Sequence, residues 1–231
     1  HPEYGCQRIS DILYRMEGME ASASSVSKVL HEAGYEMDEE QTKPHRTPEV
    51  PKRFERACAN ELWQTDIFQF TLKRQNRKVY LTIFMDDFSR YIVSYALQAR
   101  QSSALVLEAL RSGIASYHAP TEVLTDNGAQ YHTWRGKSAF AKECEKQGIK
   151  QIVSRPRHPE TLGKVERFWK TLWSECIQAA VFVDMEDARN RIRYFIGFYN
   201  FQRPHRGYRT KGRIPAEIFW GAVRERRHEE D

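Results

Sequence analysis

Hydrophobic and polar positions alternate along three successive segments in the middle of the chain. The segments LWQTDIFQFTL and VYLTIFMDD are separated by the polar stretch KRQNRK, and RYIVSYAL follows after a short FS turn. Runs of β-branched and aromatic residues with a period of two predict strands, and short polar connections join such strands into a meander. The pattern therefore predicts that a sheet begins with these three strands.

The hydrophobic period changes after the meander. SSALVLEALRSGIASYH is amphipathic with a helical period, TEVLTD is a short strand, KSAFAKECEKQGI is a second helix and KQIVS is another strand. Three helical segments follow, ETLGKVERFWKTLWSECIQ, MEDARNRIRYFIGFYNFQ and PAEIFWGAVRER, the last with Pro215 in its first turn. A meander followed by alternating helices and strands predicts a mixed α/β domain.

The beginning of the chain has a different pattern. Residues 1–35 contain two short amphipathic segments, the second ending near Gly34, which predict a helical pair. The pair fits a helix-turn-helix with SSVSKVLHEAG as its recognition helix, and it fits equally a hairpin that only packs or dimerises. Residues 36–59 are polar with prolines and predict an extended linker, residues 60–180 form the expected core, and residues 181–231 form a C-terminal helical segment with a basic loop.

Charge adds a weak indication of a partner. The chain has 36 Lys and Arg against 31 Asp and Glu, for a net charge of +5. The distribution is uneven, because residues 1–60 carry 8 basic and 11 acidic side chains whereas residues 151–231 carry 16 and 11. The basic excess in the last third favours a polyanionic partner there.

Several protein classes are disfavoured by the composition. The four cysteines have neither CxxC pairing nor a histidine spacing typical of zinc ligands, so we expect no structural zinc and a reduced, cytoplasmic protein. No apolar run approaches the roughly 20 residues that a membrane span needs, and the first residues do not resemble a secretory signal. Because the chain opens on His1, we expect that it is a piece of a longer protein.

Three carboxylates occur next to apolar strand or helix residues. Asp66 lies inside the first predicted strand, Asp126 ends a strand before the turn residues Asn127 and Gly128, and Glu166 follows Gly163 on a helix. Carboxylates that converge in a partly buried place repel one another unless cations hold them ionised. The residue types therefore predict a two-metal site for phosphoryl transfer, with two Mg²⁺ ions for which Mn²⁺ can substitute.

The helix that carries Glu166 also carries basic residues. Its apolar positions include Val165 and Trp169, so Glu166 is expected at the border of the buried stripe, facing the edge of the sheet rather than open water. Basic side chains lie off this stripe or just upstream of it, and we expect them to form a solvent-facing surface that contacts DNA phosphates. The candidate DNA-binding residues in this part of the chain are Asn127, Arg155, Arg157, His158, Lys164, Arg167 and Lys170.

Other positions leave alternatives open. Asp86 and Asp87 end a strand before a turn, so a turn or ion-pair role is favoured over a catalytic one. Trp134 fits either a side chain that stacks on a splayed DNA base or one that covers the core. The basic loop RPHRGYRTKGR contributes Arg203 and Arg206 as further candidate phosphate contacts.

Taken together, WQTD, TDNGAQY and HPETLGKVERF resemble the three catalytic blocks of DDE-type insertion-sequence transposases and retroviral-type integrases, in the same order. HPEYGCQRISDILYRM, SSVSKVLHEAGY, FYNFQRPHRGY and RIPAEIF are similar to segments that flank this core in bacterial members. The resemblance implies a ribonuclease H-like fold in which Asp66, Asp126 and Glu166 bind the catalytic metal ions. It also implies DNA as substrate, a homo-oligomer on DNA and no small-molecule cofactor.

The chain departs from the family pattern in two places. Between Asp126 and Glu166 lie 39 residues, slightly more than usual, and HTWRGK looks like the extra loop. Glu160 and Leu162 replace the usual Gln and Asn, so Glu160 is a rival for the third carboxylate, although the position after Gly163 favours Glu166. The zinc module of retroviral members is missing, which groups this chain with the bacterial elements. For a bacterial protein that acts on DNA, we expect a cytoplasmic, nucleoid-associated location.

The expected function is therefore metal-dependent nicking of DNA ends followed by strand transfer, that is, DNA transposition and integration. Two alternatives remain at this point. One is a domesticated or inactive relative that only binds DNA, and the other is a nuclease of related fold that cuts DNA without joining it.

Overall fold

The computed structural model describes residues 4–35, 55–154, 163–207 and 210–230. Its strands are β1 (Leu62–Leu72), β2 (Arg77–Asp86), β3 (Ile92–Gln98), β4 (Glu122–Thr125) and β5 (Lys150–Val153). Its α-helices are α1 (Cys6–Glu17), α2 (Ala23–Glu32), α3 (Ser103–Tyr117), α4 (Ala139–Lys146), α5 (Gly163–Leu172), α6 (Met185–Phe201) and α7 (Pro215–Glu230). The predicted meander and the helix and strand alternation after it are confirmed.

The five strands form one mixed sheet in the order β3-β2-β1-β4-β5. Strands β1, β2 and β3 are antiparallel neighbours, whereas β4 pairs in parallel with both β1 and β5. Parallel neighbours need a crossover, and α3 and α4 provide the connections that lead into β4 and β5. This topology confirms the α/β, ribonuclease H-like mixed sheet flanked by helices.

Each face of the sheet has its own apolar cluster, because side chains alternate along a strand. On one face, Phe70 of β1 packs in a cluster with α5 and α6, which contribute Phe168 and Phe195. On the other face, Trp63 of β1 packs with α3, α4 and α7, which contribute residues such as Leu110 and Phe219. Alternation therefore puts even-numbered positions of β1, among them Asp66, on the face that α5 and α6 cover.

Helices α1 and α2 form the predicted helical pair. Gly18 ends α1 with φ +64°, a conformation that favours glycine, and Ser22 caps α2 by accepting a hydrogen bond from the backbone N–H of Ser25 at 3.0 Å. Ion pairs join α1 to the rest of the molecule, including Arg8 with Glu175 at 2.9 Å. These contacts favour a packed hairpin for α1, and DNA binding by α2 stays a prediction.

Among the described residues, no helix is both long and apolar enough to cross a membrane. The predicted linker, residues 36–59, lies for the most part outside the described residues. The division at residues 60–180 and 181–231 stays a prediction, although α6 packs in the same apolar cluster as β1 and α5.

Candidate active site

Asp66 lies in the middle of β1 and is half-buried. One carboxylate oxygen, Oδ2, accepts a hydrogen bond from Trp169 Nε1 at 2.9 Å, and Oδ1 accepts one from the Ile67 backbone N–H at 2.8 Å. Burial raises the pKa of Asp66 above its ordinary value, the two hydrogen bonds oppose that shift, and the charges of Asp126 and Glu166 add to it. The charges of both other predicted carboxylates therefore contribute to the raised pKa of Asp66.

Asp126 follows directly after β4, as predicted. Its Oδ1 accepts a hydrogen bond from the Gly128 backbone N–H at 2.9 Å, which closes the turn through Asn127. Strands β1 and β4 are in parallel register with Gln64 beside Leu124. Continuing that register by two residues sets Asp126 alongside Asp66, on the same face of the sheet.

Glu166 lies in the first turn of α5. Two contacts hold this helix over Asp66: the Trp169 hydrogen bond, and the stacking of Trp169 on Phe68 of β1 with ring centroids 5.2 Å apart. Residues three positions apart share one side of a helix, so Glu166 lies one turn before Trp169 on the side that meets β1. The expectation that Glu166 faces away from open water was wrong, because its side chain is exposed.

The charges of Asp126 and Glu166 both act on Asp66, but the three carboxylates do not form a compact ligand set. Within the described parts of the chain, no group of three or more His, Cys, Asp or Glu side chains is close enough together to hold a metal ion. The strands bring Asp66 and Asp126 together, and α5 brings Glu166 toward them from across the sheet face. Burial is the main reason that the pKa of Asp66 is raised, and the charges of Asp126 and Glu166 make a smaller contribution in the same direction.

Two models of the integrase core domain match this chain, one at residues 56–159 and the other at residues 147–211. They overlap and run from before β1 to beyond α6. The chain belongs to the integrase core family.

Relatives of this integrase core include proteins of bacterial insertion elements. The transposase for insertion sequence element IS904 of Lactococcus lactis is 27% identical over 217 residues, which cover 88% of this chain and 83% of that protein. A 39.2 kDa protein of insertion element IS476 of Xanthomonas euvesicatoria is 26% identical over 219 residues, covering 95% of this chain. The present chain spans only 61% of the length of the Xanthomonas protein.

A solved structure with the same fold is the catalytic core domain of the HTLV-2 integrase, in complex with magnesium and in a dimeric form. It superposes with a TM-score of 0.53 at 21% identity, over 70% of this chain and 97% of that chain. The likeness confirms the fold of the integrase core.

Behind the carboxylates of this integrase core lies a buried polar bridge, which we call the Asp87 bridge and define as Asp87, Gln64 and Lys164. The Asp87 side chain is fully buried, and its Oδ1 accepts hydrogen bonds from Gln64 Nε2 at 2.6 Å and from Lys164 Nζ at 2.5 Å. Gln64 stands two residues before Asp66, and Lys164 stands two residues before Glu166. The Asp87 bridge therefore ties the strand of one predicted metal ligand to the helix of another.

This bridge corrects the expectation that Lys164 is a solvent-facing phosphate contact. Its side chain is only 16% exposed, and besides Asp87 it reaches Glu55 Oε1 at 3.5 Å. Burial, followed by the charge of Arg90, lowers the pKa of Lys164, whereas the charge of Asp87 raises it. Carboxylates hold the Lys164 ammonium group largely out of solvent. Its partner Asp87 is 77 residues away in the chain, so the local sequence pattern did not identify this pair.

Asp86, the residue before Asp87 in the chain, has the turn role that was predicted. It is fully buried and accepts hydrogen bonds from the Asn60 backbone N–H at 2.8 Å and from the Ser89 backbone N–H at 2.8 Å. The Ser89 hydroxyl donates a third at 2.6 Å. Burial nevertheless outweighs these donors and raises the pKa of Asp86 to about 6.

The two arginines of the basic loop that were predicted to contact phosphates, Arg203 and Arg206, both have carboxylate partners. Arg203 is 4% exposed, and its guanidinium makes a bidentate ion pair with Glu175, with Nε to Oε2 at 2.8 Å and Nη2 to Oε1 at 2.6 Å. A buried arginine that is already paired has no free face for a phosphate, so the expected contact was wrong for Arg203. Arg206 is exposed but pairs with Asp11 of α1 at 2.5 and 2.8 Å.

Other predicted DNA contacts keep their exposed positions. Asn127, Arg167 and Lys170 are exposed, and the two cations lie on α5 beside Glu166 and one turn after it. Four further predicted residues lie outside the described part of the chain: Arg155, Arg157, His158 and the rival carboxylate Glu160.

Proposed function

We propose that this chain is a transposase that nicks the ends of a DNA element to free a 3′-hydroxyl group and joins that group to target DNA. The observation that carries the proposal is the placement of Asp66 and Asp126 side by side on the sheet, with Glu166 on the helix that crosses above them. The family match and the transposase of IS904 as a relative support the same reaction class.

Asp66, Asp126 and Glu166 are the residues that would hold two Mg²⁺ ions, for which Mn²⁺ can substitute. The donor set fits these ions, since all three side chains offer carboxylate oxygens and Mg²⁺ prefers oxygen ligands while keeping several waters. Such ions supply an activated oxygen nucleophile and stabilise the leaving oxygen. The magnesium in the HTLV-2 integrase core supports this choice of metal for the fold.

The chain's own residues position these ligands and the DNA. Trp169 orients the Asp66 carboxylate through its indole N–H, and the Asp87 bridge fixes the helix that carries Glu166. Arg167 and Lys170 are exposed beside Glu166, where they would pair with phosphates on either side of the reacting bond. Two DNA ends require two active sites, so we expect a homo-oligomer on DNA.

The test is a nicking and joining assay with Mn²⁺, supercoiled plasmid and an oligonucleotide duplex that carries a labelled 3′-hydroxyl end. We expect the wild-type chain to nick the plasmid and to attach the label, and Asp66→Asn, Asp126→Asn and Glu166→Gln each to lose both activities. Glu145→Gln is the matched control, because Glu145 is an exposed carboxylate on α4 that pairs only on the surface with Lys137.

The products separate the remaining possibilities. Label joined to plasmid supports a transposase, whereas shortened DNA without joined label supports a nuclease. DNA binding without either product, unchanged by Asp66→Asn, would leave a binding protein and contradict the proposed activity. Loss of activity in Asp66→Asn with full activity in Glu166→Gln would transfer the third role to Glu160.

A further inference from the structure

One aromatic side chain near the proposed site is almost fully exposed to solvent. Trp134 is 85% exposed, the highest value among the large apolar and aromatic side chains of the described residues. It does not cover the core, so that alternative for Trp134 was wrong. An indole ring in water carries an unfavourable hydration cost that a binding partner would remove.

The two ends of the loop that carries Trp134, residues 132–137, are held in place by hydrogen bonds. At one end Tyr131 is fully buried, and its hydroxyl lies 3.2 Å from Thr65 Oγ1, on the residue before Asp66. At the other end Ser138 donates a hydrogen bond from Oγ to the Tyr131 carbonyl oxygen at 2.7 Å. The two ends of the loop are therefore joined, and they are attached to the strand that carries Asp66.

The pKa of Tyr131 also indicates that this end of the loop lies near two of the carboxylates. Burial is the main reason that the pKa of Tyr131 is raised, and the charges of Asp66 and Asp126 raise it further. Only five residues separate Asp126 from the start of the loop. The loop therefore begins close to the proposed reaction site.

The tip of the loop is arranged as a stacking surface. The Arg135 guanidinium lies 4.4 Å from the centroid of the Trp134 ring. Thr133 Oγ1 accepts a hydrogen bond from the Arg135 backbone N–H at 3.4 Å, and Gly136 turns the chain with φ +71°. With its high exposure, the indole keeps a face on which another planar group can stack.

We propose that Trp134 and Arg135 bind an unpaired DNA base next to the reacting phosphodiester bond. A base is planar, so it stacks on the indole, and the nearby guanidinium favours the phosphates that accompany it. Any base can stack, which suits a contact that separates strands without reading sequence. The location beside the reacting bond rests on the proposed function, whereas base stacking by Trp134 does not.

The experiment compares DNA affinities of the full chain by fluorescence anisotropy, with Ca²⁺ present so that chemistry does not proceed. Two labelled duplexes are used, one blunt and one with three unpaired nucleotides at its end. We expect Trp134→Ala to weaken binding of the frayed duplex about 5- to 150-fold, the range for loss of one base–aromatic stack, and to change blunt-duplex affinity much less. Trp134→Phe should retain most of the affinity.

Tyr194→Ala is the matched control, because Tyr194 is an exposed aromatic residue, 78% accessible, on α6. Equal affinity of Trp134→Ala and wild type for the frayed duplex would overturn the proposal, and so would an equal loss on both duplexes. A change of oligomeric state in Trp134→Ala without DNA would also overturn it, because Trp134 would then serve a protein interface. Selective loss in a chain that neither nicks nor joins DNA would support Trp134 while refuting the proposed function.

Discussion

The substitution Lys164→Met tests whether the Asp87 bridge anchors helix α5 to the sheet. It removes the ammonium group and leaves a chain of similar length, so the fully buried Asp87 carboxylate loses its cation. Asp87 would keep the hydrogen bonds from Gln64 Nε2 at 2.6 Å and from the Arg56 backbone N–H at 2.7 Å. These remaining donors limit the cost but do not neutralise the charge.

The expected loss in free energy of unfolding follows from the burial of the ion pair between Asp87 and Lys164. Removal of one partner from a buried ion pair typically costs about 3–5 kcal/mol, and the two hydrogen bonds that remain place the expected loss near the lower end, at about 3 kcal/mol. For a chain of this size, 1 kcal/mol corresponds to a change in Tm of about 2–4 °C, so we expect Tm to fall by about 6–12 °C.

The assay is thermal unfolding followed by circular dichroism, with Lys137→Met as the matched control. Lys137 pairs with Glu145 at a similar distance, 2.6 Å, but the two side chains are 61% and 64% exposed. Exposed pairs contribute about 0–1 kcal/mol, so the control should lower Tm by less than about 4 °C. Equal Tm values for the two variants would show that the Asp87 bridge does not stabilise the fold more than an exposed ion pair does.

Three further predictions concern charge. Trp169→Phe removes a hydrogen bond that lowers the pKa of Asp66, so the acidic limb of the nicking rate should move to higher pH, and an unshifted limb would contradict this role. Burial raises the pKa of Asp86 from 3.8 to about 6, so the folded state binds the proton more tightly than the unfolded state does. The free energy of unfolding of the wild type, measured with urea relative to that of Asp86→Asn, should therefore fall by about 3 kcal/mol as pH rises from below 3.8 to above 6. A rise in this difference over the same pH range would refute the prediction. Replacing both Arg167 and Lys170 by Met should reduce the salt slope of DNA binding by about 2, and an unchanged slope would show that neither contacts phosphate.

Much of the fold could be predicted because its signals are local. Period-two apolar segments specify β1 to β3, and the Asp-Asn-Gly turn places Asp126 at the end of β4. The helical stripe containing Val165 and Trp169 specifies the buried side of α5. Each of these features depends on neighbours within a few residues.

The roles of several charged side chains could not be predicted, because their partners are distant in sequence. Lys164 meets Asp87 and Arg203 meets Glu175 only after β2, α5 and the segment beyond α6 have packed together. A cation next to glycine and polar residues looks solvent-facing in a sequence, whatever carboxylate the fold brings to it. The exposure of Glu166 was not predicted because its neighbour Val165 is fully buried. At the border of a buried helical stripe, a shift of one position changes a side chain from buried to exposed.

We propose above that Asp66, Asp126 and Glu166 together hold the catalytic metal ions. The most direct measurement is anomalous diffraction from crystals of the chain grown with a DNA end and Mn²⁺. We predict two Mn²⁺ peaks, about 3.5–4 Å apart as in two-metal sites, bounded by oxygens of Asp66, Asp126 and Glu166. Peaks ligated by Glu160 in place of Glu166, or DNA bound without a peak at Asp66, would contradict the claim.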